Sequence, residues 1–171
     1  MTYATWNPSD KGAAVTLSNG NLTASAGSDM VRATISKSSG KWYWEVTFDS
    51  LAGLTLGIAT SSATLTSYLG SDANGWSYYS ENGNKINNAT QEAYGASYIA
   101  GAVIGIALNA DDNEITFYKN NVSQGVAYTG LTGTYFAALG DGTIGGVGVA
   151  NFGATALTYS PPAGFNAGLY E

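Results

Sequence analysis

The sequence predicts an all-β protein, folded as a two-sheet antiparallel β-sandwich. Turn signals rich in Gly, Asn, Asp and Ser recur along the chain, and short runs of β-branched and aromatic residues lie between them. These runs are spaced by roughly 8–12 residues, and no amphipathic helical pattern separates them. With 23 Gly and only 3 Pro, the composition also favours tight turns. One domain is expected over residues 1–171.

The strands are assigned in chain order from the turns that flank them. Residues 1–38 supply lead-in strands, and residues 39–171 supply the core of the sandwich. The runs predicted as strands are NLTAS, MVRATI, KWYWEVTF, LTLGIA, GWSYYS, AVIGIALN, EITFYK, YFAALG and GVGVANF. Near residues 61–69 the sequence also allows a short helical turn.

The run KWYWEVTF carries the clearest strand pattern. Its alternate positions are large and apolar, so one face of this strand should lie in the core. Those positions are Trp42, Trp44, Val46 and Phe48. Large aromatic side chains dominate buried area, which favours core packing for the two tryptophans. The alternative is that one of the two rings is a platform for stacking on a sugar.

A hairpin is predicted in the segment EITFYKNNVSQGVAY. Asn120 and Asn121 interrupt its apolar alternation. A two-residue hairpin turn of the primed type needs positive φ at both central positions, and Asn tolerates this best among the non-glycine residues. We therefore expect a strand, a turn at Asn120-Asn121 and a return strand, which belong to the scaffold more than to a site.

Charge and missing residue types argue against several classes of function. A net charge of −6 disfavours binding to nucleic acid. The absence of Cys and His leaves no disulfide, thiolate nucleophile, imidazole base or typical zinc site. No apolar run approaches the ~18 residues of a membrane-spanning helix, and the first residues do not resemble a secretory signal. Neither membrane insertion nor a cofactor is expected.

The acidic residues give little indication of catalysis or metal binding. Glycosidases hold two carboxyl groups roughly 5–9.5 Å apart, whereas Glu45 and Asp49 on one strand face should be about 13 Å apart. Other acid pairs could converge in space, but Glu45 is expected to be a half-buried acid that accepts hydrogen bonds. Asp111–Glu114 could offer oxygen ligands to calcium, although an Asx-rich turn is favoured. Lys37 and Lys41 are expected to be solvated surface charges.

Several motifs together resemble the SPRY domain family. SGKWYWEVTF resembles the family's G-x-x-Y-W-E-V strand, and AVIGIALNADDNEITFYKNNVSQGVAY resembles its segment from G-D-x-I-G-V to N-G-x-x-x-G-x-A-F. VANFG and YSPPAGF resemble its closing strand and its proline-rich end. The lead-in TWNPSDKGAAVTLSNGNLTA is similar to that of SPRY-like modules from tailed-phage virion proteins.

This resemblance implies a concanavalin-like sandwich that binds a ligand through loops at one end, and a binding module, not an enzyme. Two positions depart from the family pattern. The usual Asn-Gly turn is Asn120-Asn121 here. The usual Gly-Asp before the I-G-V strand is Gly101-Ala102, so any contact made by that acid is missing.

Two loops, TSYLGSDANGW and NNATQEAYG, carry the candidate binding residues. They mix aromatic rings with amide and carboxylate groups, which suits sugar hydroxyls as well as a protein partner. If residues 76–80 and 84–87 pair as a hairpin, both loops emerge at the same end of the sandwich. They would form a shallow, metal-free pocket of negative character that favours a neutral or amine-bearing ligand. The candidates are Tyr68, Asp72, Asn74, Trp76, Asn88, Gln91 and Tyr94.

The predicted function is non-catalytic recognition. By resemblance, the chain would belong to a phage tail, fibre or head-surface protein located in the virion. Its partners would be a bacterial surface glycan or protein and other virion proteins, with homo-oligomerisation left open. The alternatives are a structural or capsid-decorating domain without a ligand of its own, and a protein–protein adaptor. A further alternative for the loops is that they are ordinary polar loops with Trp76 and Tyr78 packed inward.

Overall fold

The computed structural model describes residues 1–50, 53–142 and 145–171, and in these residues it contains strands and turns but no helix. The strands are β1 (Trp6–Lys11), β2 (Thr16–Ser18), β3 (Thr23–Ser25), β4 (Met30–Lys37), β5 (Lys41–Phe48), β6 (Thr55–Ala59), β7 (Gly75–Tyr79), β8 (Lys85–Asn87), β9 (Thr90–Glu92), β10 (Val103–Asn109), β11 (Glu114–Lys119), β12 (Val122–Tyr128), β13 (Tyr135–Gly140), β14 (Val147–Asn151) and β15 (Asn166–Ala167).

The strands form two sheets packed face to face, which confirms the predicted antiparallel sandwich. The seven-stranded sheet has the order β1-β4-β13-β6-β7-β8-β9. The eight-stranded sheet has the order β12-β11-β10-β5-β14-β3-β2, and β15 pairs with β5 in the one parallel pairing of the described strands. The lead-in strands β1 to β4 are divided between the two sheets.

Strand β5 lies in the middle of the eight-stranded sheet and is buried on both faces. Trp44, Val46 and Phe48 face the core, as their alternation predicts. On the opposite face, Glu45 is only 2% exposed. The prediction that it is half-buried was therefore wrong, because the C-terminal segment covers this face. Its predicted role as a hydrogen-bond acceptor is confirmed by the N–H groups of Thr158 and Tyr159, which donate to the carboxylate.

Trp42 lies at the edge of the core and is partly buried. Its ring meets Tyr170 edge to face at 5.2 Å between centroids, and Lys37 Nζ lies 3.7 Å from a ring centroid of Trp42. Lys37 also donates a hydrogen bond to the Tyr170 carbonyl at 2.6 Å. The expectation that Lys37 is a solvated surface charge was therefore wrong, because its ammonium is held between the Trp42 ring and the Tyr170 carbonyl. Lys41 forms an exposed ion pair with Asp112 at 3.0 Å.

The predicted hairpin turn is confirmed. Asn120 and Asn121 have φ values of 46° and 67°, the left-handed conformation that a primed turn requires. They join β11 to β12, and Asn120 Oδ1 also accepts a hydrogen bond from the Val103 N–H at 2.9 Å. The turn is thereby tied to the neighbouring strand β10.

The segment between β6 and β7, residues 60–74, folds across the outer face of the seven-stranded sheet. It contains turns and no helix, so the short helical turn allowed near residues 61–69 does not form. Arg32 donates to the carbonyls of Thr60 and Ala63, and the Leu69 N–H donates to Thr55 Oγ1 at 3.2 Å. A Cβ on Gly140 would lie 2.6 Å from the Leu69 nitrogen, so this close approach requires glycine. We call residues 60–74 the covering loop.

Candidate functional site

The two ends of the sandwich are distinguished by strands β6 and β7. At the Ala59 end, β6 finishes and β7 begins, and at the Thr55 end, β6 begins and β7 finishes. The covering loop starts at the Ala59 end but reaches back toward the Thr55 end, where the Met30 N–H donates to the Leu65 carbonyl at 3.0 Å. The candidate residues of this loop are therefore spread over both ends.

The predicted hairpin of residues 76–80 and 84–87 is present as β7 and β8, which pair antiparallel. A second tight turn at Asn88 and Ala89 then joins β8 to β9. It contacts the covering loop, because the Asn88 N–H donates to the Asp72 carbonyl at 3.0 Å and the Ala89 N–H donates to the Gly70 carbonyl at 2.8 Å. The two candidate loops therefore meet, as predicted, at the Ala59 end.

Asp72 is engaged in holding the covering loop together. One carboxylate oxygen accepts a hydrogen bond from the Thr64 N–H at 2.7 Å, and the other accepts one from the Asn74 N–H at 2.8 Å. Asn74 in turn accepts a hydrogen bond from the Thr60 N–H through its carbonyl. These two candidate residues thus define the loop's shape, and their polar groups are largely used within it.

Two of the candidate aromatic residues pack inward. Trp76 is partly buried against the core and meets Tyr135 edge to face at 5.4 Å. Tyr94 donates a hydrogen bond to the Gly125 carbonyl at 2.5 Å and accepts one from the Phe117 N–H at 3.2 Å. Burial raises the pKa of the Tyr94 phenol to about 12. Trp76 therefore packs within the seven-stranded sheet and against the core, Tyr94 is bonded to strands β11 and β12, and neither ring is presented as a platform to a ligand.

Tyr68 and Gln91 line one cavity of about 150 Å³ on the outer face of the seven-stranded sheet. Gln91 lies on β9 and Tyr68 on the covering loop, so the fold joins two predicted residues from separate elements. Gln91 Oε1 accepts hydrogen bonds from the side-chain amides of Asn82 and Asn84 at 3.0 and 3.2 Å. We call this cavity the Tyr68 pocket, which is lined by Thr55, Tyr68, Tyr79, Ile86, Gln91 and Gly142.

A second cavity, of about 230 Å³, opens at the Thr55 end and was not predicted from the sequence. Ile99, an apolar residue that follows the predicted loop NNATQEAYG and is exposed in the structure, is the signal that could have indicated it. We call it the Glu81 pocket, which is lined by Phe48, Ser50, Ser80, Glu81, Ser97, Tyr98, Ile99 and Ala100.

The Tyr68 and Glu81 pockets are neighbours. Tyr79 lines the first, and its hydroxyl meets the carboxylate of Glu81 above Gly53, where a Cβ would lie 2.9 Å from Glu81 Oε1 and 3.0 Å from the Tyr79 hydroxyl. Burial, and then the Glu81 carboxylate, raise the pKa of the Tyr79 phenol above its ordinary value. One continuous surface at the Thr55 end therefore contains both pockets.

Two further cavities lie elsewhere. An open groove of about 510 Å³ runs along residues 153–161 of the C-terminal segment, with Tyr3 and Ala167 at its side. A polar cavity of about 250 Å³ at the edge of the sandwich contains the candidate Asn88, together with Asn87, Thr90, Glu92 and Tyr128.

Over the described ranges, no group of three or more His, Cys, Asp or Glu side chains is arranged to hold a metal ion. Asp111–Glu114 form the turn between β10 and β11. Asn113 has a φ of 60°, Asp111 accepts a hydrogen bond from the Gly40 N–H, and Asp112 accepts one from Asn109. The interpretation of this segment as an Asx-rich turn agrees with the structure. Among the described residues, no helix is long and apolar enough to cross a membrane.

A stiff two-sheet sandwich with pockets built by its loops is the architecture of a binding scaffold. A sequence profile of the SPRY domain family matches residues 41–153, more than half of the chain. The chain therefore belongs to the SPRY domain family, whose members are in general protein–protein interaction modules. The predicted resemblance to this family is confirmed.

The chain is similar to parts of larger eukaryotic proteins. Ran-binding protein 9 of Xenopus tropicalis is 30% identical over 168 residues, which cover 90% of this chain and 31% of that protein. E3 ubiquitin-protein ligase RKP of Arabidopsis thaliana is 38% identical over 95 residues, which cover 54% of this chain and 7% of that protein. The chain thus spans less than a third of the length of these relatives, and they give no support to the predicted virion setting.

Solved structures show the same fold at low sequence identity. The SPRY domain of human HERC1 has a TM-score of 0.75 at 17% identity, covering 85% of this chain and 96% of that chain. The PSpry domain of TRIM65 has a TM-score of 0.70 at 16% identity, covering 87% of this chain and 92% of that chain. These similarities establish the fold alone.

Proposed function

We propose that the chain is a non-catalytic module that binds a segment of a partner protein at the Thr55 end, with the Tyr68 pocket as its centre. The observation that carries the proposal is the shared lining of that pocket by Tyr68 and Gln91, which come from separate loops and strands. Loops on a rigid sandwich commonly carry binding, and half-exposed tyrosines are frequent anchors in protein interfaces.

The pocket is held in place by the sheet and by the covering loop. The sheet supplies Thr55, Tyr79 and Ile86, while Arg32 fixes the covering loop through two backbone carbonyls. A preorganised surface of this kind loses little conformational entropy on binding. Its volume is below the ~300–1,000 Å³ of typical small-molecule sites, which suits one side chain of a protein ligand.

The finer predictions of a bacterial surface glycan as ligand and of a virion location remain predictions. A glycan site needs an aromatic ring that can stack on a sugar, and Trp76 and Tyr94 are committed to internal contacts. Tyr68 is the candidate ring for that role. Because members of the family are in general protein–protein interaction modules, a partner protein is the better-supported ligand.

The proposal is tested by selecting binders to the chain from a displayed library of random peptides. Selected peptides should lose binding by at least about tenfold with Tyr68→Ala, the loss expected of an aromatic hot spot. The matched control is Tyr159→Ala, which truncates a half-buried tyrosine in the groove along residues 153–161. If the selected peptides bind Tyr68→Ala with unchanged affinity but lose affinity for Tyr159→Ala, the binding site lies in the groove along residues 153–161 and the proposal is wrong. A failure to select any peptide, with no attachment to glycans either, would favour a structural or decorating role.

A further inference from the structure

We propose that the Glu81 pocket receives a lysine side chain of the partner protein. This inference rests on the proposed function in one respect, namely that the ligand is a protein segment lying across the Thr55 end. The pocket combines an aromatic floor, an exposed aliphatic rim and one carboxylate. A lysine side chain has the matching parts, an apolar four-carbon stem and a terminal ammonium.

The floor of the pocket is apolar and fixed. Phe48 and Tyr98 meet edge to face at 5.5 Å, and both are almost fully buried. The Tyr98 hydroxyl is used elsewhere, since it donates to the Tyr78 carbonyl at 3.0 Å. The two rings therefore offer carbon surface to a ligand.

The rim carries an exposed apolar side chain. Ile99 is 79% exposed, the highest value for a large aliphatic side chain other than Met1 among the described residues. The loop around it is ordered by hydrogen bonds, because the Ala102 N–H donates to the Ile99 carbonyl and the Gly101 N–H donates to the Phe48 carbonyl. Ile99 is thus held out into solvent beside the pocket, where it can cover the methylene groups of an inserted side chain.

Glu81 is the one charged residue in the described lining of the pocket. It takes part in none of the ion pairs found in the described residues. A cation lies beside the lining residue Ser97, since Lys119 Nζ donates to the Ser97 carbonyl at 2.7 Å. An incoming ammonium is therefore attracted to the Glu81 side and repelled from the Ser97 side, and the net charge of −6 favours cationic partners from a distance.

The acceptor arrangement favours lysine over arginine. An arginine is best held by paired, planar acceptors, such as a carboxylate approached in bidentate geometry with further acceptors around the fork. Here one carboxylate is accompanied by serine hydroxyls from different segments, and Ser80 Oγ already accepts a hydrogen bond from the Leu54 N–H at 2.9 Å. Acceptors that lie on different segments suit an ammonium, which is a compact charge with three rotatable N–H donors.

The position of the pocket links it to the proposed binding surface. The contact between Tyr79 and Glu81 joins the two cavities, so one extended peptide can place one residue against Tyr68 and another in the Glu81 pocket. The expected recognition pattern is therefore a lysine at a constant distance from the residue that needs Tyr68.

The first experiment measures the affinity of peptides selected on the wild-type chain that depend on Tyr68. They should share a lysine, and acetylation of that lysine or Glu81→Gln should weaken binding by about fivefold or more at low ionic strength, less at high salt. The matched control is Glu171→Gln, which makes the same change of net charge at an exposed residue paired through its backbone to Thr2. It should change affinity by less than about twofold.

The outcomes separate the two proposals. Peptides that depend on Tyr68 but lack a shared lysine, or bind Glu81→Gln normally, would overturn the lysine pocket and leave the proposed function intact. Stronger binding of the same peptides with arginine at that position would also contradict it. If no peptide is selected, a second experiment decides: titration of Nα-acetyl-lysine methylamide, with the norleucine analogue as control, followed by NMR. Shifts of the Ile99 and Ala100 amide signals that occur with the lysine probe but not with the norleucine analogue support the lysine pocket. The absence of such shifts contradicts it.

Discussion

The carboxylate of Glu45 accepts a hydrogen bond from the backbone N–H of Thr158 at 2.7 Å, although the two residues are 113 positions apart in the chain. The N–H of Tyr159 donates to the same carboxylate at 2.8 Å. Glu45 lies on the central strand β5, so these contacts fasten the C-terminal segment over the outer face of the eight-stranded sheet. One buried acid thereby helps to hold the last part of the chain against β5, together with the pairing of β15 with the same strand.

Glu45→Ala is expected to lower the free energy of unfolding by about 3 kcal/mol, because it removes charge-assisted hydrogen bonds and leaves two N–H groups without their acceptor. Glu45→Gln should cost about half as much, since an amide oxygen still accepts one bond. Urea unfolding measures the change, and hydrogen exchange at the Thr158 and Tyr159 amides should accelerate in both variants. Unchanged exchange would show that other contacts hold the segment.

The two tryptophans of β5 should differ in their contribution to stability. Trp44 is 1% exposed, so Trp44→Ala should cost about 3–5 kcal/mol as a large-to-small core change. Trp42→Ala should cost about 1–2 kcal/mol, the sum of one edge-to-face contact and one cation–π contact. Denaturant unfolding of both variants gives the comparison. Equal losses of stability would contradict the expectation that the partly buried Trp42 contributes less than Trp44.

Asn121 has a φ of 67°, which a β-branched residue adopts only at a cost. Asn121→Val should therefore destabilise by about 1 kcal/mol or more, whereas Asn121→Gly should be neutral or stabilising. Thr129→Val, at an exposed position outside the strands, is the control and should change little. Thermal melts test the series. A Val variant that melts like the wild type would contradict a left-handed turn in solution.

Stability should fall at high pH. Burial raises the pKa of Tyr94 to about 12, above the ~10 of an unfolded tyrosine. The pKa values of Tyr43, Tyr78, Tyr79, Tyr98 and Tyr128 are raised as well. Because the folded state holds the neutral phenol, the stabilisation is complete below pH ~10 and is lost as the pH rises toward and beyond 12.

Urea unfolding measured as a function of pH, together with phenolate absorbance, tests this expectation. Tyr94→Phe has no phenol to ionise at that position, so its free energy of unfolding should fall less steeply between pH ~10 and 12. A wild-type stability that is constant over this interval would contradict the assignment of these tyrosines to a buried, neutral state.

Local chemistry is sufficient for the fold class and for individual turns. The alternation in KWYWEVTF follows from the two-residue period of a strand, and it correctly places Trp44, Val46 and Phe48 in the core. The turn at Asn120-Asn121 follows from steric limits on φ that act within one residue. Both rules need no knowledge of distant parts of the chain, and for that reason the sequence alone determined these features.

The binding surface depends on contacts between residues far apart in the chain. The sequence of a loop does not show whether an aromatic side chain faces solvent or the core. Only packing therefore decided that Tyr94 and Trp76 turn inward. The Tyr68 pocket required the covering loop to cross the sheet. The Glu81 pocket required β5, the β7–β8 turn and the loop before β10 to meet at the Thr55 end. Side-chain periodicity carries no information about contacts between segments that are far apart in the chain. Those contacts are fixed by the way two sheets bury a shared core.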